Sequence, residues 1–242
     1  MPKNSVDLDQ ATNSELLDQY TELASLAGGL AHEIRNPLSS ISMNTALLEE
    51  ELSRSDDPRD RRMCKRLETV KQECQHLEGI LNAFLQFVRV GELHRQPTDL
   101  SELTRTFIES YGPRAEQHQI EISPHLSANL PLVNLDRSLF RQVLLNLAIN
   151  AQQAMPDGGL LELQTYSRDD RVCLEFIDTG VGMTEDVQQR MFDAFFSSKA
   201  DGSGLGLPLI RKVVLAHGGT IQCESEPGKG TRFIISLPPH QD

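Results

Sequence analysis

Apolar residues from Ala27 to Leu52 recur at alternating steps of four and three: Ala27, Ala31, Ile34, Leu38, Ile41, Thr45, Leu48 and Leu52. A second run, Met63, Leu67, Val70, Cys74, Leu77, Leu81, Phe84 and Val88, keeps the same rhythm. This is the heptad period of a helix with one apolar seam, and a strand, with its period of two, does not produce it. Between the runs lies SRSDDPRD, where Asp57 can cap a helix and Pro58 can take its first position. The spacing therefore predicts a helical hairpin, with Thr12 and Glu15 as a capping box for a first helix. Leu30, Leu47, Ile80 and Leu85 widen the stripes beyond a two-helix contact. Two hairpins packed as a four-helix bundle would cover them, so a homodimer is expected. The alternative is that the hairpin packs on the domain that follows.

Around RVGELHRQPTD the helical period ends, and Gly91 and Pro97 punctuate a linker. Beyond it helix and strand alternate. Leu100 to Gln117 reads as a helix, IEIS (120–123) and PLVNL as short strands, and Arg137 to Met155 as a second helix. Strands follow at LLELQTY and VCLEFID, split by the polar turn SRDDR. After a loop-rich region, Gly206 to His217 reads as a helix stopped by Gly218, and His217 is expected to be structural, since a cation there suits the dipole. TIQCES and TRFIISL then flank a PGKG turn as a hairpin. Helices beside a mostly antiparallel sheet make an α/β sandwich, and the whole chain is α+β. The expected divisions are an N-terminal segment 1–13, a helical domain 14–91, a linker 92–98 and a second domain 99–239.

Charge narrows the partners. Lys and Arg number 23 against 35 Asp and Glu, a net charge of −12. Such a surface repels nucleic-acid phosphates and anionic lipid, so neither is expected. No apolar run approaches the ~18 residues needed to cross a bilayer, so no membrane insertion is expected. Cys64, Cys74, Cys173 and Cys223 are scattered, with no metal-ligand spacing, as in a reducing cytoplasm.

Four stretches carry chemistry. In AHEIRNPLSS, His32 sits beside the seam and is expected to face solvent, with Glu33 next to it and Asn36 one turn on. A neutral imidazole is a nucleophile towards phosphorus, and an adjacent carboxylate can orient the ring and take its proton. Pro37, one turn after His32, removes a helical hydrogen bond at a cost of ~3 kcal/mol, which a merely structural helix rarely carries. In NLAINAQQAM, Asn146 and Asn150 share one face of an oily helix. Their amides are costly unless satisfied, and Mg²⁺ with phosphate oxygens would do so. In IDTGVGM, a strand ends at Asp178, and Gly180 and Gly182 open a tight turn. A buried carboxylate there suits an exocyclic amine such as adenine N6. In FDAFFSSKADGSGLGLPLI, Lys199 offers a cation, and Gly202, Gly204 and Gly206 lead into a helix N-terminus able to receive an anion. PGKGTRF puts Thr231 at a hairpin edge.

In this order and spacing the stretches resemble the H, N, G1, F and G2 boxes of two-component sensor histidine kinases, from about Ser25 to Leu237. The resemblance implies a dimerisation and histidine-phosphotransfer bundle followed by a Bergerat-type ATP-binding sandwich. It makes His32 the phospho-accepting nucleophile, Glu33 its base or orienting partner, and Asn36 a residue that positions water in a second, phosphatase activity. Asn150 would be the Mg²⁺ ligand with Asn146 in support. Asp178 would hold the adenine amine, with Gly180 and Gly182 letting the base approach. Lys199, Gly204, Leu205, Gly206 and Leu207 would form the lid over the phosphates of ATP, and Thr231 would also line the nucleotide site. FFSSK is similar to the FFTTK of nitrogen-regulation-type kinases, which have a compact lid. The partner implied is the receiver domain of a response regulator, whose aspartate takes the phosphoryl group. Two positions depart from the pattern: Ala194 replaces a common proline, and Gln153 lies where some members carry a basic phosphate contact, which is then missing or supplied by Lys199. No sensor domain is recognisable, so the chain is either a cut core or takes its signal from a separate sensor protein.

Overall fold

The computed structural model describes residues 34–53, 57–88, 93–199 and 202–240. The Thr12–Glu15 capping box, Ala27, Leu30, Ala31, His32, Glu33, Gly91 and the side chain of Val88 lie outside the described residues. The chain divides into two compact units, Met1–Gly91 and Glu92–Asp242. Among the described residues no helix is long and apolar enough to cross a membrane.

The first unit is the helical hairpin. Helix α1 covers residues 34–53 and continues through Pro37, and α2 runs Pro58–Val88. Asp57 caps α2 through Oδ1, which accepts from the Arg59 N–H at 2.7 Å, with Pro58 in first position. The arms are antiparallel: Arg35 donates to Asn82 Oδ1 at 2.9 Å, and Lys71 pairs with Glu49 at 3.6 Å nearer the turn. The heptad seam splits in two. Leu38, Thr45, Cys74 and Leu85 are buried between the arms, and Thr45 spends its hydroxyl on the Ile41 and Ser42 carbonyls of its own helix. Of the other described seam positions, Leu52, Leu67, Leu81 and Phe84 are half-buried, while Ile34, Ile41 and Leu48 on α1 and Met63, Val70 and Leu77 on α2 remain exposed. Each set repeats every seven residues, so one continuous apolar face lies open.

The second unit carries strands β1 (Gln96–Thr98), β2 (Ile120–Leu126), β3 (Val133–Leu135), β4 (Gly159–Arg168), β5 (Arg171–Asp178), β6 (Thr220–Glu226) and β7 (Gly230–Leu237). Its helices are α3 (Leu100–Gln117), α4 (Arg137–Ala154), α5 (Glu185–Arg190) and α6 (Gly206–Ala216). The main sheet has the order β2-β4-β5-β7-β6, with β2 and β4 parallel and the rest antiparallel. Alternation on β5 and β7 sends Val172, Leu174 and Phe176, and Phe233, Ile235 and Leu237, to the buried helix-bearing face. There they meet Phe140, Val143, Leu144 and Leu147 of α4 and Leu209, Ile210 and Val213 of α6. The opposite face is polar, and Glu175, only 2 % exposed, is held there by Arg232 at 2.8 Å and by the Tyr166 hydroxyl.

Three expectations change. Gln96–Thr98, assigned to the linker, form β1 and pair antiparallel with β3. The loop-rich region after Asp178 contains α5, a six-residue helix with no buried residue. His217 has the structural role expected of it, but as a buried neutral ring and not as a cation at a helix end. Its Nε2 accepts from the Asp136 backbone N–H at 2.9 Å, so Nδ1 carries the proton and donates to the Val213 carbonyl at 2.8 Å. The ring is neutral because it is buried and needed as an acceptor.

Candidate nucleotide site

Helix α4 builds one wall. Asp136 caps it, with Oδ1 accepting from the Ser138 and Leu139 N–H groups and Oδ2 from the His94 N–H at 3.0 Å. Its apolar stripe fixes its rotation on the sheet, which turns Gln142, Asn146, Asn150 and Gln153 the other way as a row at helical spacing. Gln142 donates to Asn146 Oδ1 at 3.1 Å. Asn150 Nδ2 is buried with no hydrogen-bond partner. Such an orphan costs about 1–3 kcal/mol, so its retention on an otherwise satisfied helix asks for a ligand.

Asp178 ends β5 opposite Thr231 of β7. Its Oδ1 accepts from the Gly180 N–H at 2.9 Å and the Thr231 N–H at 3.2 Å, which leaves Oδ2 without a hydrogen bond among the described residues. Burial pushes the Asp178 carboxyl above the usual range, against those two N–H groups and the charge of Lys199, which pull it down. The next turn packs on α4 through Val181 N–H to the Ala154 carbonyl at 3.0 Å. Gly182 has φ +66°, and a Cβ there would run into the Glu226 carbonyl, so only glycine lets this turn lie against the β6–β7 hairpin. Ser225 ties the same corner, accepting from the Met183 N–H at 2.9 Å, donating to the Gly230 carbonyl at 2.9 Å and lying 3.0 Å from Thr231 Oγ1.

The loop before α6 folds on itself. Phe195, at φ +66°, donates its N–H to the Gly204 carbonyl at 3.0 Å, and Gly204, at φ +65°, approaches the Phe195 backbone too closely for any side chain. Arg190 lies 4.2 Å from the Phe196 ring centre and Arg211 5.5 Å from that of Phe192, so cations brace both aromatics. Lys199 Nζ donates to Gln153 Oε1 at 2.7 Å, which brings the lysine to the polar row of α4. Burial of this ammonium lowers its pKa, with Asp178 acting in the opposite direction. Helix α6 opens at Gly206 and Leu207 behind Leu205, with no side chain sealing its N-terminus. By contrast, aspartates close α3 and α4. An uncapped N-terminus leaves N–H groups and a positive dipole end for an anion.

The sequence matches two family descriptions. Residues 22–93 match the His Kinase A (phospho-acceptor) domain. Residues 135–241 match the histidine kinase-, DNA gyrase B- and HSP90-like ATPases. This chain belongs to the two-component sensor histidine kinases. It is 35 % identical to the sensor histidine kinase ZraS of Klebsiella oxytoca over 91 % of its own length and 47 % of that protein. The chain thus spans about half the length of this relative. Full-length ShkA in complex with AMPPNP superposes with a TM-score of 0.71 at 31 % identity, over 90 % of this chain and 46 % of that one. The histidine kinase ThkA, solved with the response regulator protein TrrA, shares the fold at TM-score 0.68 and 24 % identity, over 98 % of this chain and 68 % of that one.

Of the residues marked in the sequence, Asn146, Asn150, Asp178, Gly180, Gly182, Lys199, Gly204, Leu205, Gly206, Leu207 and Thr231 all belong to this second unit, between α4, the end of β5 and the loop before α6. Asn36 is exposed on α1, in the hairpin unit. Ser225 escaped the sequence reading, since a lone serine in a strand has no spacing signal. Gln153 stands where the sequence leaves a basic contact either missing or supplied by Lys199, and its bond to Lys199 depends on a loop fold that spacing does not encode.

Proposed function

We propose that this chain is an ATP-dependent protein-histidine kinase that phosphorylates its own His32 and passes the phosphoryl group to an aspartate of a response regulator. The observation that carries the nucleotide reading is a pair of unmet polar groups in one unit: Asp178 Oδ2 at the end of β5 and the orphaned Asn150 amide on α4. Asp178 would accept from the adenine amine, and the Thr231 and Gly180 N–H groups hold its carboxylate in place to do so. Gly180 and Gly182, whose tight turn packs on Ala154 and the β6–β7 hairpin, would let the base approach. Lys199 and the open start of α6, from Gly204 to Leu207, face the phosphates.

The donor set fits Mg²⁺ only in part. Among the described residues no group of three or more His, Cys, Asp or Glu side chains is placed to hold a metal. A magnesium ion that arrives on the triphosphate needs few protein ligands, and the Asn150 amide oxygen, with Asn146 behind it, would supply one. Bound there, the ion would neutralise charge on the phosphates. Phosphoryl transfer itself asks the protein mainly for positioning. The neutral His32 imidazole would attack the γ-phosphorus as the bond to the ADP oxygen breaks, and Glu33 would take the ring proton. The phosphohistidine would then be the donor to the regulator aspartate. Asn36 would orient water for the reverse function, dephosphorylation of the regulator. The open apolar face of the hairpin supports a homodimer. The site for ATP and the four free cysteines suit the cytoplasm. A separate sensor protein remains a candidate source of the signal.

Incubation of the purified chain with γ-labelled ATP and Mg²⁺ tests the proposal, beside His32→Gln. The expected label is acid-labile, base-stable and absent from the variant. Acid-stable label, or label retained by His32→Gln, overturns it.

A further inference from the structure

Gln152 and Gln153 are neighbours near the end of α4 but do different work. Gln152 Oε1 accepts from the Tyr111 hydroxyl at 2.9 Å and from Arg114 Nε at 3.0 Å, fastening α4 to α3. Gln153 is exposed, and its Oε1 receives Lys199 Nζ at 2.7 Å from a residue 46 positions away. The lysine backbone is pinned as well. Ser197 Oγ accepts from the Lys199 N–H and donates to the Lys199 carbonyl, both at 3.0 Å. A lysine side chain loses much rotamer freedom when its tip is fixed, so both ends being held calls for a reason.

We infer that Gln153 is a positioning residue that holds the Lys199 ammonium over the phosphate end of the nucleotide. The choice of partner supports this. A carboxylate would neutralise the ammonium and repel a triphosphate, whereas an amide oxygen fixes its position and leaves its charge intact. One of three N–H groups is used, and two remain for phosphate oxygens. The ammonium lies within the electrostatic reach of Asp178, and its partner Gln153 shares the polar row of α4 with the orphaned Asn150 amide, so this solvent-exposed contact sits at the edge of the site. Gln153 thus contributes through Lys199 and has no need to touch the nucleotide itself. The inference rests on the nucleotide reading above.

The test is a double-mutant cycle on the full chain, using Gln153→Ala, Lys199→Ala and the pair. Affinities are measured for a non-hydrolysable ATP analogue with Mg²⁺ and for adenosine, which has no phosphate. Gln153→Ala is expected to weaken the analogue about fivefold, the worth of one ordinary hydrogen bond, and to leave adenosine unchanged. In the Lys199→Ala background it should add nothing. In the labelling assay it should raise KM for ATP with kcat within about twofold, as for a contact that binds ground and transition states alike. Gln152→Ala should lower the unfolding midpoint and leave the preference for the analogue over adenosine intact. Wild-type affinity in Gln153→Ala, effects that multiply in the pair, or an equal loss for adenosine would each overturn the inference. A wild-type chain that binds neither ligand would instead remove the nucleotide reading on which it stands.

Discussion

His217 shows how one ring can depend on its proton count. The Asp136 N–H aims at Nε2 and the Val213 carbonyl at Nδ1, so the folded chain has room for one ring proton and not two. Burial lowers the His217 pKa first, and Arg95 adds to this, while the Val213 bond and the Asp136 carboxylate oppose it. In the unfolded chain the ring takes up a proton near its ordinary ~6.5. Below that value the unfolded state therefore binds more protons than the folded one, and stability rises with pH through the window. The expected outcome is an unfolding free energy that falls as pH drops from 7 towards 5.5, with a ring that titrates below its ordinary value by NMR. A His217 ring that titrates at its ordinary pKa would refute this. The sequence offered only a histidine at a helix end, for which a cation is the natural reading, because its partner lies 81 positions earlier. Asp178 and Asn150 were legible because their own neighbours, a strand end before DTGVG and an oily helix, already defined what surrounds them.

Helix α4 joins the nucleotide site to the fold, and its N-terminus is the place to test that link. Asp99 caps α3 with two backbone N–H groups, from Ser101 and Glu102. Asp136 takes three, the third from His94, upstream of β1. Loss of an ordinary aspartate cap costs about 1 kcal/mol. Asp99→Ala should cost about that much, and Asp136→Ala about 2 kcal/mol, since a part-buried bond from another segment is lost too. Urea unfolding midpoints at constant m-value measure both, and equal losses would show that the His94 bond contributes nothing. Neither cap was named from the sequence, although an aspartate before an apolar period is a local signal. β1 was not readable: its partner β3 is 37 residues on in register, and Pro97 within it lacks an N–H and speaks against a strand. α5 escaped for the opposite reason, since six polar residues with none buried carry no period at all.

The hairpin shows how much a heptad pattern says and where it stops. The alternating steps specified both helices, their turn and the cap at Asp57, but each seam contains two kinds of position that a single strand of sequence cannot separate. In the structure Leu38, Thr45 and Cys74 meet the other arm, while Ile34, Ile41, Leu48, Met63, Val70 and Leu77 do not. Full burial of such a side chain is worth about 1.5–3 kcal/mol. Covering the remaining half of six of them would return on the order of 5–10 kcal/mol per protomer, and twice that for a symmetric pair. Association costs an estimated 4–15 kcal/mol, so the face is large enough to hold two copies together. Sedimentation at micromolar concentration should therefore give twice the chain mass of 27.0 kDa. Ile41→Glu with Val70→Glu places one charge on each arm of the open face and touches none of the residues buried between the arms. This double variant should sediment as a monomer while keeping its helical circular dichroism. A wild-type chain that sediments as a monomer, or a variant that stays dimeric, would show that the open face is not what joins two copies.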